Sequence, residues 1–173
     1  MKKFFVTMCV VLLSVGAYAQ EKGTFAVGAE AAYGSSSGFK RLAAGIKAQY
    51  NFTDPIRGEL GATYWMKKDH NTAIDVYANA HYLLKITDQF KVYPLAGVGY
   101  ESSKSEDFTG SVTVNGMTQT VFVPEVTSTD VFFTGGAGIQ YDMTENFGFN
   151  AEYRFQTNVG SRSMFAAGIF YRF

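Results

Sequence analysis

The sequence has 173 residues, 15 basic and 15 acidic residues, and 16% aromatic residues with 18 glycines. This length allows a single domain, and the aromatic content excludes a disordered chain. The balanced charge, without a basic run, also excludes the electrostatic footprint of a nucleic-acid-binding protein.

Residues 1–19 have the pattern of a secretory signal peptide, because two lysines precede an apolar run over 4–15 and a small-x-small site, AYA, at 17–19. The run is shorter than the roughly 20 residues that a membrane-spanning helix needs. We expect cleavage before Gln20, which leaves a domain of residues 20–173. Cys9, the single cysteine, is lost with the peptide, and the mature charge falls near −2.

A short repeat sets the number of strands. FTDPI at 52–56, ITDQF at 86–90 and MTENF at 143–147 share the order apolar, Thr, acid, any residue, apolar, which predicts tight turns between antiparallel strands. Their threonines are 34 and 57 residues apart, so the second interval contains an insertion of 23 residues. The alternating segments predict eight strands, at 24–33, 41–52, 56–66, 73–85, 91–102, 129–141, 147–157 and 164–173.

Each strand has an apolar face without charge and a polar face, with Tyr and Phe at the ends of the apolar face and Ala in its middle. Such girdles are typical of a membrane barrel with a polar interior. Eight mid-strand glycines lie on the polar face, where we expect them to make room for long charged side chains. The central charges on this face form the predicted lumen network: Glu30, Lys47, Arg57, Glu59, Glu152 and Arg154.

The turn near Asp54 pairs residues whose numbers sum to about 108, so Lys47 is expected close to Glu59. Since buried charges are costly unless they are paired, the network is interpreted as a plug. The alternative is a gated, very narrow pore.

Strands of about ten residues match the length of a tilted strand that crosses a bilayer. Connections alternate between short turns and longer loops, the asymmetry of barrels with periplasmic turns and extracellular loops. The sequence therefore predicts an all-β fold: a closed, eight-stranded, antiparallel, up-and-down transmembrane β-barrel.

Two segments carry a family resemblance. The last strand places Ile169, Tyr171 and Phe173 on one face, and VYPLAGVGY lies at 92–100. The chain resembles the small eight-stranded outer-membrane β-barrel proteins of Gram-negative bacteria, including the porin-like β-barrel domain family. The resemblance implies contact with outer-membrane lipid, and it implies that those three residues form the signal read by the barrel-insertion machinery.

The long loop, residues 103–128, is the predicted contact region. Within it SVTV and TQTVFV flank Asn115 and Gly116, a strong hairpin signal. We expect a ribbon beyond the bilayer whose free edges can add a strand from a surface partner protein. The alternative is that the ribbon only extends the barrel.

The sequence contains only weak signals for a metal, cofactor or catalytic site. His81 and His70 are far apart without a metal-ligand spacing, and the glycine strings at 97–99 and 135–138 open no helix, so we expect no metal, cofactor or phosphate site. Asp69, His70 and the serines at 35–37 would be the parts of a lipid-modifying enzyme. The favoured role is non-enzymatic, structural or interactive; the alternatives are a small-solute channel or transporter, and that enzyme.

Overall fold

The computed structural model describes residues 22–36, 39–68, 71–114, 117–157 and 161–173. The predicted signal peptide, His70, and the hairpin turn at Asn115 and Gly116 lie outside the described residues. Within these ranges, no helix is long and apolar enough to cross a membrane.

Eight strands form a closed antiparallel barrel, as the sequence predicts. The strands run β1 Phe25–Ser36, β2 Phe39–Asn51, β3 Ile56–Lys68, β4 Asn71–Tyr82, β5 Leu84–Lys85, β6 Phe90–Ser105, β7 Phe108–Val114, β8 Met117–Val123, β9 Val126–Asp142, β10 Phe147–Gln156 and β11 Arg162–Arg172. In chain order the barrel strands are β1, β2, β3, β4, β6, β9, β10 and β11, and β1 pairs with β11 to close the ring. The short β5 continues the line of β4, and β7 with β8 forms a separate hairpin.

The three repeated pentapeptides make the same turn. In the first, the Thr53 hydroxyl accepts a hydrogen bond from the Ile56 amide at 3.1 Å, and the Phe52 amide donates to the Ile56 carbonyl. Thr87 and Thr144 accept the equivalent bonds at 3.0 Å. A threonine hydroxyl that bonds a nearby backbone amide stabilises a turn, which explains the repeat. We call this end of the barrel the turn end and the opposite one the loop end.

The strands are longer at the loop end than the sequence predicts. β6 and β9 have 16 and 17 residues and pair as far as Ser105 and Val126. The predicted ribbon is present, but its strands are not continuous with the barrel: residues 106–107 and 124–125 interrupt them, and β7 and β8 form their own sheet. β11 begins at Arg162, which the prediction placed in a loop.

The predicted faces are confirmed in most strands. Outward side chains such as Ile46 and Leu60 are 69% and 65% exposed, while the inward polar side chains are buried. The strand predicted at 73–85 places Leu84 on its apolar, outer face by alternation, but Leu84 is buried. The Leu83 amide donates to the Pro55 carbonyl at 2.7 Å, which interrupts the strand, and Leu83 and Leu84 are both buried.

Inward glycines make room for charged side chains, as expected, and also for aromatic rings: a Cβ added to Gly45 would lie 3.2 Å from Glu30 Cγ. Tyr93, paired with Gly138 in the sheet, lies over it, and a Cβ added to this glycine would be 2.5 Å from Tyr93 Cζ. Tyr77 covers Gly61 in the same way, and Phe132 covers Gly99. These rings leave no space for a side chain at the facing position, so glycine is required there.

Candidate functional site

Five charged side chains meet in the middle of the lumen. Glu30, Lys47, Glu59, Glu152 and Arg154 come from β1, β2, β3 and β10, and each is at least nine-tenths buried. We call these five residues the central cluster. They belong to the six residues of the predicted lumen network.

Lys47 is bound by all three carboxylates of the central cluster. Its Nζ lies 3.2 Å from Glu30 Oε2, 3.2 Å from Glu152 Oε1 and 3.5 Å from Glu59 Oε2. Lys47 pairs in the sheet with Gly61 and Gln49 with Glu59, so the predicted register sum of 108 is confirmed. One ammonium group therefore links three strands across the lumen.

Arg154 completes the cluster with a bidentate contact to Glu30. Its Nη1 and Nη2 donate to the two Glu30 oxygens at 3.0 and 2.7 Å, and its Nε donates to Glu152 Oε2 at 2.6 Å. Tyr93 and Tyr77 donate their hydroxyls to Glu152 and Glu30. Charge-assisted, bidentate contacts of this kind are the strongest hydrogen bonds that side chains make.

Arg57, the sixth predicted network residue, lies outside the central cluster. Its Nη1 donates to Gln140 Oε1 at 2.6 Å, and its Nε and Nη2 lie 3.2 and 3.0 Å from His81 Nδ1. The residue points towards the turn end, away from the carboxylates. Strand alternation predicts that Arg57 faces the lumen, but it does not predict which residues the side chain contacts. Those contacts depend on the neighbours across the lumen.

A second buried cluster, which the sequence reasoning missed, closes the loop end. Arg162 Nη2 lies 3.1 Å from Asp75 Oδ2 and 2.8 Å from Glu101 Oε2, and its Nε donates to Gln156 at 2.9 Å. Trp65 donates its indole N–H to Asp75 and stacks 4.2 Å from the Arg162 guanidinium. The sequence did contain one signal for this cluster. Trp65 has the same position in the strand alternation as Arg57 and Glu59, so its side chain is expected inside the barrel.

The central cluster is better suited to ion pairing than to metal binding. Glu59, His81 and Glu152 bring three ligand atoms within 4.8 Å of one another. However, Lys47 already lies between the carboxylates. Arg57 can only donate, so His81 Nδ1 is the acceptor and the neutral ring carries its proton on Nε2. That nitrogen therefore offers no lone pair to a metal.

The loop-end extension, residues 103–107 and 124–132, is largely exposed, and Phe132 is its buried residue. Lys104 Nζ lies 2.9 Å from Glu125 Oε1, and Lys67 Nζ lies 2.5 Å from Glu106 Oε2. β6 pairs with β9 up to residue 126, but β10 pairs with β9 only as far as Thr134. Among the described residues, no strand pairs with 126–132 on the β10 side.

The predicted assembly residues lie on the outer face of β11. Ile169, Tyr171 and Phe173 are exposed, and the Phe173 amide donates to the Phe25 carbonyl at 2.9 Å. The Phe173 ring lies 5.1 Å from that of Tyr171 and 6.0 Å from that of Phe25. The three rings form an aromatic patch at the turn end where β1 and β11 join.

The sequence profile of the outer membrane protein beta-barrel domain family matches residues 5–173. The chain belongs to this family. As a family member it is an integral outer-membrane barrel, and its exposed apolar face is the surface that contacts lipid. No curated protein sequence matches the chain significantly.

Solved structures of the same fold are similar to this barrel. The N-terminal β-barrel domain of OprF from Pseudomonas aeruginosa is 18% identical, with a TM-score of 0.61, over 86% of this chain and 97% of that one. Ail of Yersinia pestis is 18% identical, with a TM-score of 0.59, over 88% and 99%. Neisserial surface protein A is 18% identical, with a TM-score of 0.63, over 90% and 100%. At 18% identity the similarity shows that these proteins share the fold. It does not identify a ligand for this chain.

Proposed function

We propose that this barrel is a non-enzymatic surface-interaction protein of the outer membrane. Its turns face the periplasm and its loop end faces the cell exterior, where the extension contacts a partner protein. The observation that supports this role is the open edge of β9 over residues 126–132.

The open edge presents backbone groups that have no strand partner among the described residues, and their direction is known. The Thr157 amide donates to the Phe133 carbonyl at 2.9 Å, so the backbone polar groups of Phe133 point towards β10. Because these groups alternate along a strand, those of Thr127, Thr129 and Val131 point the same way, into solvent. An exposed edge of this kind can add an extended strand from another chain.

A proline at position 129 tests the edge. Thr129→Pro removes one outward N–H and leaves the hydrogen bonds between β9 and β6 in place. Barrels in nanodiscs would be used to capture surface and envelope proteins, with wild type, Thr129→Pro and a deletion of 105–127 compared by quantitative mass spectrometry. We expect the same proteins to be lost with both variants.

Thr129→Ala is the matched control, because it changes the same side chain and keeps the N–H. It should capture the same proteins as wild type. Slower gel migration after boiling checks that every variant is a closed barrel. If Thr129→Pro captures the wild-type set, the open edge is not the contact surface.

The two alternative functions have direct tests. A channel would require a path through the central cluster and the loop-end cluster, both of which span the lumen with ion pairs. Single-channel conductance in planar bilayers measures this. Lipid analysis of cells with and without the protein addresses a lipid-modifying enzyme, whose predicted residues include His70.

We also propose that the outward face of β11 is read by the barrel-insertion machinery, after export directed by residues 1–19. Ile169, Tyr171 and Phe173 support this by forming an apolar, exposed row. Deleting Phe173 should reduce the outer-membrane yield in cells sharply, while refolding into detergent changes little. Normal yield in cells would contradict the assembly role and leave Phe173 as an interface anchor. A mature N-terminus at Gln20 would support the proposed cleavage.

A further inference from the structure

Two acidic side chains of the loop-end cluster face each other across neighbouring strands. Asp75 of β4 pairs directly with Glu101 of β6 in the sheet, and both residues are buried in the lumen. Like charges at directly opposed positions destabilise a sheet, and the effect is larger where water is excluded. Two ionised carboxylates at these positions would therefore need compensation from other groups.

A single cation contacts this pair. Arg162 Nη2 lies 3.1 Å from Asp75 Oδ2 and 2.8 Å from Glu101 Oε2, so one nitrogen serves both carboxyl groups. Among the described residues, Arg162 is the one cation that contacts either group. If both carboxyl groups were ionised, the cluster would contain a net buried negative charge, which is unfavourable.

The strands around the pair supply no second positive charge. Trp65 of β3, Gln156 of β10 and Gly34 of β1 are uncharged, and Asp130 of β9, which pairs with Glu101 in the sheet, is an exposed carboxylate. Other cations of these strands contact other groups: Arg41 the Asn71 carbonyl oxygen, Lys67 Glu106, Lys104 Glu125, and Lys47 and Arg154 the carboxylates of the central cluster.

One oxygen of Asp75 is buried and receives no hydrogen bond. Trp65 Nε1 and Arg162 Nη2 both donate to Oδ2, at 2.8 and 3.1 Å, while Oδ1 has no partner among the described residues. The Asp75 and Glu101 carboxyl groups are close enough for a hydrogen bond between them. Carboxylate oxygens can only accept, so this bond requires a proton on one of the two groups.

We propose that Asp75 and Glu101 hold one proton between them and that the loop-end cluster is thereby a proton-binding site. The proton forms the hydrogen bond between the two carboxyl groups and leaves one negative charge for Arg162 to neutralise. It stays bound at pH values at which an exposed carboxyl group has lost its proton. When it is released, repulsion between the two carboxylates weakens the contacts that hold Trp65 and Arg162 across the loop end. The site requires no surface partner.

Tryptophan fluorescence of the folded barrel tests the site, because Trp65 is the only tryptophan in the sequence and donates to Asp75. Exposed Asp and Glu side chains titrate near about pH 4. Wild-type barrels in detergent, titrated from about pH 4 to about pH 9, should show a one-proton fluorescence transition well above that value. Asp75→Asn should show no transition, because its amide accepts from Trp65 and donates to Glu101 as the protonated carboxyl does.

Glu101→Gln should also abolish the transition, since its amide can donate to Asp75, and it provides a second variant should Asp75→Asn fail to fold. Asp130→Asn is the matched control, because it makes the same change in an exposed carboxylate beside Glu101, and it should keep the transition. Slower gel migration after boiling checks that each variant is a closed barrel.

Urea unfolding gives an independent measurement. The folded barrel keeps a proton that the unfolded chain loses above about pH 4, so its stability falls as pH rises until the folded state also releases the proton. Over that range the folded-to-unfolded ratio of wild type should fall about tenfold per pH unit relative to Asp75→Asn. The proposal is overturned if wild type shows no fluorescence transition, if the transition persists in Asp75→Asn, or if the relative stability does not change with pH. A transition that a chelator of divalent cations shifts would assign the site to a metal ion instead.

Discussion

The central cluster and the loop-end extension contain the same kind of ion pair in opposite surroundings. Lys47 and Glu59 have side chains that are 1% and 0% exposed, whereas those of Lys67 and Glu106 are 51% and 38% exposed. Inside the barrel each charge depends on its partners, because water cannot solvate it. In the extension water replaces a lost partner at little cost.

This difference indicates which of the two regions determines the stability of the barrel. The central cluster joins opposite walls of the barrel, so changes there should affect the whole fold. The extension is attached through β6 and β9 and contributes few buried side chains. Its sequence is therefore free to change, provided that the barrel below it keeps its lumen contacts.

The largest expected effect comes from removing the cation that donates the most hydrogen bonds to carboxylates. Arg154→Met should leave Glu30 without its bidentate donor and Glu152 without the Nε donor, and lower the free energy of unfolding by about 3–5 kcal/mol. Urea unfolding in lipid vesicles measures this. Lys104→Met in the extension is the control and should leave the unfolding midpoint unchanged. Equal midpoints for both variants would mean that the central cluster does not stabilise the barrel.

The coupling free energy between Lys47 and Glu59 tests directly whether the buried charges depend on one another. Lys47→Ala and Glu59→Ala should each destabilise the barrel, and the double variant should cost less than the sum, with a coupling of about 0.5–3 kcal/mol. The reason is that each single change leaves the other charge buried with fewer partners. Additive losses in this double-mutant cycle would show that the two side chains act independently.

A smaller effect is expected from the glycine positions that face aromatic rings. Gly61→Ala places a methyl group against the Tyr77 ring and should cost about 1–3 kcal/mol of unfolding free energy through overpacking. Gly135→Ala is the matched control, because no atom lies within 4 Å of its added Cβ. Equal stability of the two variants would argue that the Tyr77 ring moves freely.

The strands, turns and one register could be predicted because each depends on a local sequence pattern. The alternation, the three turns and the β2–β3 register depend on residues close in sequence, and the structure confirms the eight strands and that register. The interruption at Leu83 was missed, because its amide bonds Pro55, which lies in another turn.

Contacts across the lumen could be predicted much less well. Lys47 and Glu152 are 105 residues apart, and Arg154 and Glu30 are 124 apart. Strand phase places these residues inside the barrel, but it does not select the partner of a long side chain. For this reason the sequence did not show that Arg57 bonds His81 and Gln140 and not a carboxylate, and the cluster around Arg162 was not foreseen.

The smallest expected effect concerns the exposed pair that the comparison began with. Lys67 joins the end of β3 to Glu106 in the extension. Lys67→Gln and Glu106→Gln in a double-mutant cycle should give a coupling of at most about 1 kcal/mol. This coupling should disappear at high salt, because the Debye length falls to about 3 Å at 1 M ionic strength. The Lys47–Glu59 coupling should persist under the same conditions, since buried pairs are screened much less. If salt weakens both couplings equally, water and ions reach the lumen, and the contrast between a dry central cluster and a solvated extension is wrong.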